Sequence, residues 1–312
     1  MRSEAHRRGQ SWRAGLLRAG LALWLLCGLG QPQPHAEEQA AAARQERSSF
    51  WRVRSGKGTV YMLGSVHLLK PEHYPLSPAI EKAFASSARL VLEVNLDTVN
   101  AEGVQQAVLA RGRLEPGQTL RSVLRPASYA LLKQQAEAMG VPLQALETLK
   151  PWLVALTLTT VKLRQLGYDP EHGIDRYFLR KAKEQNKQIL GLETLEFQVG
   201  LLDQMTPRLQ ELFLLQTLED LDVLEQQFAR LVDAWKQGDA AGLEKILMAS
   251  FKEYPEVYER MVVDRNRKWL AEVEKLLEGD ESALVVVGAG HLVGKEGLIE
   301  LLRARGYAVE QW

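Results

Sequence analysis

Two histidines in this sequence follow a glycine by three residues, and each comes at the end of an apolar run typical of a buried strand. They are His67, after Gly64, and His291, after Gly288. A neutral imidazole is a good ligand for a divalent metal and a good general base near neutral pH. A glycine before it lets the backbone bend or a ligand approach closely. One such histidine would more often be a hydrogen-bonded core residue, but the repeated context predicts one shared site.

Two carboxylates occur in similar surroundings. Glu93 lies within the apolar run 89–96, and Glu193 ends the apolar run 188–193. A carboxylate is costly to bury unless it is paired or bound to a metal, although the alternation of a strand could instead turn Glu93 to solvent. Strands of one sheet can deliver such groups to a common edge. Histidines and carboxylates together would form a hydrolytic metal site that lowers the pKa of a bound water.

Asp175 and Arg265 are further candidates. Asp175 lies in the first turn of a predicted helix, where a carboxylate often serves only as a cap or dipole partner. Arg265 lies in the charged run 264–268, which is also typical of a solvated helix face. The spacing alone leaves both alternatives open.

Residues 1–36 predict a secretory signal peptide. Several arginines precede the apolar run 19–30, and a polar stretch with two prolines follows it. The run is too short to span a bilayer comfortably, although an uncleaved anchor is the alternative. Residues 37–48 predict a solvated linker, followed by one domain at 49–312. We therefore expect export to the periplasm or the extracellular space, with no other membrane association.

Composition restricts the chemistry. The only cysteine, Cys27, lies in the predicted leader, so the mature chain would have no disulfide and no thiolate. Any metal would then need histidine and carboxylate ligands. Lys+Arg and Asp+Glu both number 39, and this balance gives no reason to expect a nucleic-acid partner.

The alternation of apolar runs and helical patterns predicts an α/β (α+β) fold. We expect a mixed central sheet of five or six strands, built from the N- and C-terminal segments, with a large helical insertion at about 98–261. The predicted strands are a hairpin at 50–54 and 59–67, then 89–96, 188–193, 284–291 and 307–311. The predicted helices include 77–87, 143–166, 254–277 and 297–305.

With these motifs in order, the chain resembles the TraB/PrgY/GumN family, to which the animal Tiki proteins are related. The resemblance spans residues 51–311. It is carried by residues 61–67, 71–76, 90–96, 150–152, 173–175, 191–194, 264–266 and 288–291.

This resemblance implies a fold related to the erythromycin-esterase and ChaN-like proteins, with both Gly-x-x-His motifs at the active centre. Tiki relatives are divalent-metal-dependent proteases. Carried over to this chain, the resemblance puts His67, His291 and Glu93 at a metal, which would be Mn²⁺, Co²⁺ or Zn²⁺. Other candidates would supply further ligation, acid/base help or charge stabilisation: Glu193, Asp175 and Arg265.

The resulting expectation is an exported metal-dependent hydrolase that acts on a peptide or small-molecule substrate, with the peptide bond as the expected target. An esterase is the nearest variant. The alternative from another class is a protein of the same fold that binds a peptide or a metal without cleaving anything.

Overall fold

The computed structural model describes residues 48–98, 101–251 and 255–312. The predicted signal peptide and all but the last residue of the predicted linker lie outside them. The described residues form a six-stranded mixed sheet with helices, which confirms the predicted α/β class. The strands are β1 Phe50–Arg54, β2 Thr59–Ser65, β3 Arg89–Val94, β4 Gln188–Glu193, β5 Ala283–Gly288 and β6 Ala308–Gln311.

The strand order in the sheet is β4-β3-β5-β2-β1-β6. The four strands β4, β3, β5 and β2 run parallel, whereas β1 pairs antiparallel with both β2 and β6. Every residue of β5 is buried, as expected for a parallel strand in the interior of a sheet. The carboxyl ends of the four parallel strands therefore meet at one edge, where open α/β sheets bind ligands.

Helices occupy most of the remaining described chain. They are α1 Pro78–Ser86, α2 Ala101–Gly112, α3 Leu120–Val123, α4 Pro126–Ala138, α5 Pro151–Gln165, α6 Ile174–Glu184, α7 Leu195–Asp203, α8 Pro207–Asp220, α9 Leu224–Lys236, α10 Ala240–Phe251, α11 Pro255–Tyr258, α12 Asp264–Glu278 and α13 Leu298–Ala304. A π-helical turn, Glu259–Val263, joins α11 to α12. Among the described helices, none is both long and apolar enough to cross a membrane.

The prediction of one helix over residues 143–166 is wrong at its start. The chain makes a short 3₁₀ turn at Leu143–Ala145, and α5 begins only at Pro151. Lys150 is extended, with φ −65° and ψ 150°. The physical reason is that a residue before proline avoids the helical region, because the proline ring crowds its backbone. Proline itself is well suited to the first turn of the helix that follows.

Two apolar cores hold the carboxyl edge of the sheet in place. The main core lies against the sheet. A smaller core contains Val94, the last residue of β3, together with apolar side chains from α2, α5, α7 and the π-helical turn. Its largest fully buried side chain is Trp152. This second core packs α7 and the start of α12 beside the end of β3, so polar residues on these helices can face the sheet edge.

Gly173 allows α6 to begin directly against the chain that leaves β2. A Cβ atom on Gly173 would lie 2.3 Å from the main-chain oxygen of His67. The next residue, Ile174, donates its main-chain N–H to the oxygen of Val66 at 3.2 Å. The absence of a side chain at Gly173 thus brings the first turn of α6, which carries Asp175, next to His67.

We expect Gly173→Ala to lower the free energy of unfolding by about 1–3 kcal/mol, because the added methyl group forces the backbone of His67 away. Urea unfolding followed by circular dichroism measures the change. Gly56→Ala is the matched control, since a Cβ there has no heavy atom within 4 Å. Equal effects of the two substitutions would contradict the close-approach argument.

Candidate active site

The carboxyl edge of the parallel strands collects the candidate side chains. His67 lies two residues beyond β2, Glu93 lies within β3, and Glu193 ends β4. His291 ends a 3₁₀ turn, Ala289–His291, that follows β5. The helices α6 and α12 add Asp175 and Arg265 in their first turns. The structure therefore brings together all six polar side chains selected from the sequence, although the two histidines lie just past their strands rather than within them.

The buried guanidinium of Arg265 joins four partners. Its Nη2 donates to Glu193 Oε1 at 2.7 Å and to Glu93 Oε2, and its Nε donates to Glu193 Oε2 at 3.1 Å. Its Nη1 donates to the main-chain oxygen of Met261 and to Nε2 of His291, both at 3.0 Å. A guanidinium has five N–H bonds, so each has an acceptor here.

Arg265 remains charged in this environment. Burial alone would lower the pKa of its guanidinium, but the charges of Glu93 and Glu193 raise it. The ring of Trp269 lies 4.6 Å from the guanidinium carbon, which adds a cation–π contact. The alternative of a solvated helix face for Arg265 is therefore ruled out, because the residue is 2% exposed. The π-helical turn that precedes α12 is a feature often found at functional sites.

Glu93 is fully buried and hydrogen-bonded, so the strand does not turn it to solvent. Its Oε1 accepts from the main-chain N–H of Gly288 at 2.7 Å, and its Oε2 accepts from Arg265 and from Gln198 Nε2, the latter at 3.2 Å. Burial, only partly offset by the Arg265 charge and reinforced by the charge of Glu193, raises the pKa of the Glu93 carboxyl to about 7. A second cation close to Glu93, in addition to Arg265, would favour the ionised form of the carboxyl.

His291 is fully buried and is held at both ring nitrogens. Because Arg265 can only donate, Nε2 of His291 must be the acceptor, and Nδ1 carries the proton. That proton is donated to Asn266 Oδ1 at 2.7 Å. Burial, together with the positive charge of Arg265 and the influence of His67, lowers the pKa of His291 well below its ordinary value, so the ring is neutral.

His67 is held at one ring nitrogen by the carboxylate of Asp175. The distance between His67 Nδ1 and Asp175 Oδ1 is 2.9 Å, and Ser65 Oγ donates to the same oxygen at 2.9 Å. Burial alone would raise the pKa of the Asp175 carboxyl, but interaction with His67 and the hydrogen bonds from His67 and Ser65 lower it. An ionised Asp175 is an acceptor, so Nδ1 of His67 carries a proton and Nε2 of a neutral ring carries the lone pair.

The space in front of Gly288 is where these groups meet. A Cβ atom on Gly288 would lie 3.4 Å from Glu93 Oε1, 3.5 Å from His67 Nε2 and 3.6 Å from His291 Cδ2. A side chain at this position would fill the space between the carboxylate and the two imidazoles. These distances are ordinary van der Waals contacts, so the role predicted for Gly288 in the approach of a ligand stays a prediction. Gly64 is more tightly enclosed, because a Cβ there would lie 3.1 Å from Ser49 Cβ and from Ala289.

Three residues of the cluster were not selected as candidates from the sequence: Ser65, Gln198 and Asn266. Ser65 holds Asp175, Gln198 holds Glu93, and Asn266 holds His291. Asn266 also donates to the main-chain oxygens of His291 and Glu296, at 3.2 and 2.7 Å. A weak signal existed for each, because each lies within five residues of a selected candidate. Short polar side chains of this kind are too common on helices and strand ends to be singled out by type.

A groove of about 410 Å³ lies on the same helices as the cluster. Its lining comes from α2, α7 and residues 260–268, and it includes Phe197 together with both acidic and basic side chains. Gln198 and Arg265, which contact Glu93, lie on α7 and α12 as well. The polar cluster therefore has a surface groove beside two of its supporting helices.

Comparison with known proteins places the chain among bacterial relatives. The sequence model of the TraB/PrgY/gumN family matches residues 49–311. The chain is 24% identical to the uncharacterized protein YbaP of Escherichia coli (strain K12) over 249 residues, which cover 80% of this chain and 89% of that protein. It is 23% identical to an uncharacterized protein of Treponema pallidum (strain Nichols) over 270 residues, which cover 82% of this chain and 80% of that protein. No solved structure gives a significant match.

We expect Arg265→Met to lower the free energy of unfolding by about 3–5 kcal/mol, because two buried carboxylates would lose their cation. Arg267→Met, two residues along the same helix, should cost less than about 1 kcal/mol because its ion pairs are exposed. Chemical denaturation of both variants at neutral pH tests this difference. A small effect at Arg265 would mean that the buried ion cluster does not stabilise the fold.

Proposed function

We propose that this chain, which belongs to the TraB/PrgY/gumN family, is an exported metal-dependent hydrolase that acts on peptide bonds. The observation that supports it is the position of His67 Nε2 and Glu93 Oε1, which flank the same space in front of Gly288. A buried carboxylate and an oriented imidazole beside one small space are what a hydrolytic centre requires.

The residues present fit a divalent ion in kind and in charge. With Glu93 ionised, as a bound cation would favour, the three carboxylates Glu93, Glu193 and Asp175 exceed the one guanidinium by two charges. An ion of charge +2 would then balance a cluster whose two imidazoles are neutral. The carboxylate of Asp175 on His67 Nδ1 is the outer partner that metal-bound histidines usually have. His67 and Glu93 would hold the ion. In the described part of the chain, however, no group of three or more potential ligands is arranged to hold a metal.

The chain's own residues would have separate roles in the proposed reaction. When bound, a divalent ion would lower the pKa of a water and polarise the scissile carbonyl. Asp175 fixes the ring of His67 so that Nε2 faces the space in front of Gly288. Arg265 holds Glu93 and Glu193 in place and offsets their charge.

One arrangement favours a second function, the binding of a peptide or metal without cleavage. Acid/base help from Glu193 would mean accepting a proton from water, but both of its oxygens accept hydrogen bonds from Arg265. Charge stabilisation by Arg265 would mean neutralising a developing oxyanion, but each of its N–H bonds has a protein acceptor. These two roles stay predictions. A binding protein of this fold would need neither of them.

Turnover separates the two functions. The purified protein would be stripped of metals with a chelator, restored with Mn²⁺, Co²⁺ or Zn²⁺, and incubated with a peptide library for mass spectrometry. We expect cleavage only with a restored metal, and we expect His67→Ala to slow it by at least about 100-fold. His73→Ala is the control, because His73 contacts the turn at Lys70 and lies outside the cluster. Peptide binding without cleavage under any metal would contradict the hydrolase.

We expect Asp175→Asn to reduce both metal affinity and turnover by about 10- to 100-fold, the usual effect of losing an outer carboxylate on a histidine ligand. An amide no longer favours the proton on Nδ1 of His67, so the lone pair at Nε2 is no longer assured. Isothermal titration with Mn²⁺ and the peptide assay measure the two effects. Wild-type values for both would contradict the role of Asp175.

A further inference from the structure

The two Gly-x-x-His motifs are alike in sequence but differ in what their histidines contact. We infer that only His67 faces the ion or substrate, whereas His291 is a positioning residue, a neutral acceptor that fixes Arg265 against the two carboxylates. This inference rests on the proposed function for the role of His67. It assigns to His291 a task different from the metal ligation that its motif predicts.

The state of the His291 ring follows from fixed groups around it. Asn266 donates both protons of its side-chain amide to main-chain oxygens, those of His291 and Glu296. Since these acceptors are carbonyls, the amide oxygen must point the other way, toward His291 Nδ1. The guanidinium of Arg265, which can only donate hydrogen bonds, approaches Nε2 from the opposite side. Backbone geometry thus orients Asn266, and Asn266 and Arg265 together select one neutral tautomer.

Arg265 is poorly placed to give up this contact. Two of its donors form a paired contact with the carboxylate of Glu193, and the others go to Glu93, Met261 and His291. A metal ion at Nε2 of His291 would have to take the place of the guanidinium nitrogen Nη1. It would then lie beside a buried positive charge in a medium that screens poorly. A metal bound there would break a charge-assisted hydrogen bond and would also be repelled by the nearby guanidinium.

His67 is surrounded by different groups. Its Nδ1 is held by a carboxylate rather than an amide, and its Nε2 lies 3.5 Å from the position of a Cβ on Gly288. A carboxylate partner strengthens the basicity of an imidazole ligand, whereas a neighbouring cation weakens it. The same motif has therefore produced one imidazole suited to ligation and one suited to receive a hydrogen bond from a cation.

The first test is long-range ¹⁵N–¹H correlation spectroscopy of the protein with ¹⁵N-labelled histidine, with and without zinc. Signals would be assigned from His67→Gln and His291→Gln. We expect His291 to show a protonated Nδ1 and a bare Nε2 in both states, and Nε2 of His67 to shift on addition of zinc. A protonated Nε2 on His291 without metal, or a zinc-induced shift of its Nε2 to a metal-bound value, would overturn the inference. Only the assignment uses the variants, whereas the tautomer and the response to zinc are read from the wild-type protein.

The second test compares zinc affinities of His67→Gln and His291→Gln by calorimetry. We expect His67→Gln to lose at least about 100-fold and His291→Gln to stay near the wild-type value, because glutamine can still accept from Arg265 but is a poor metal ligand. A loss of similar size in both variants would overturn the assignment. If the wild-type protein binds no metal, the metal-dependent function fails by itself. The tautomer of His291 then decides the present inference alone.

Discussion

The buried ion cluster around Arg265 is the interaction on which the rest of this site depends. Moving one guanidinium and two carboxylates out of water is costly, and the fold tolerates it because every N–H of Arg265 has an acceptor. The four accepting residues come from four different elements: β3, β4, the π-helical turn and the turn after β5. The cluster therefore connects the sheet edge to α12. A shift of one of these elements would disturb hydrogen bonds made by the others.

The parallel strands explain why these elements meet at all. β2, β3, β4 and β5 run in one direction, so the polar residues near their carboxyl ends arrive at one edge although they are far apart in sequence. Glycines then set how closely they approach. Gly173 lets the first turn of α6 reach His67, and Gly288 leaves a space between Glu93 and the imidazoles. The proposed chemistry uses a space that the backbone, rather than side chains, keeps open.

The hydrogen-bond partners of the two histidines determine how their imidazole rings are oriented. Asp175 with Ser65 orients one imidazole toward the space at Gly288, and Asn266 orients the other toward Arg265. Such partners decide which nitrogen carries a proton and hence which can act as a ligand or an acceptor. Two motifs with the same sequence spacing can therefore serve different purposes, because a motif specifies where an imidazole lies but not what its nitrogens meet.

Much of the fold and of the candidate site could be predicted from the sequence, because a buried strand is recognisable as a local run of apolar residues. Apolar runs of strand length identified the sheet, and a carboxylate within such a run marked Glu93 as a residue that needs a partner. The boundary of α5 could have been predicted too, since Pro151 determines it through a local steric rule. The partners could not. Whether Arg265 faces solvent or Glu93, and whether Asn266 or a metal meets His291, depends on strand order and helix packing. These join residues that are 25 positions apart, as Asn266 and His291 are, or 172 positions apart, as Arg265 and Glu93 are. Sequence by itself determined the chemical groups and the strand ends that carry them. Only the tertiary structure decided which group neutralises which, because electrostatic and hydrogen-bonding energies depend on distances that no local pattern contains.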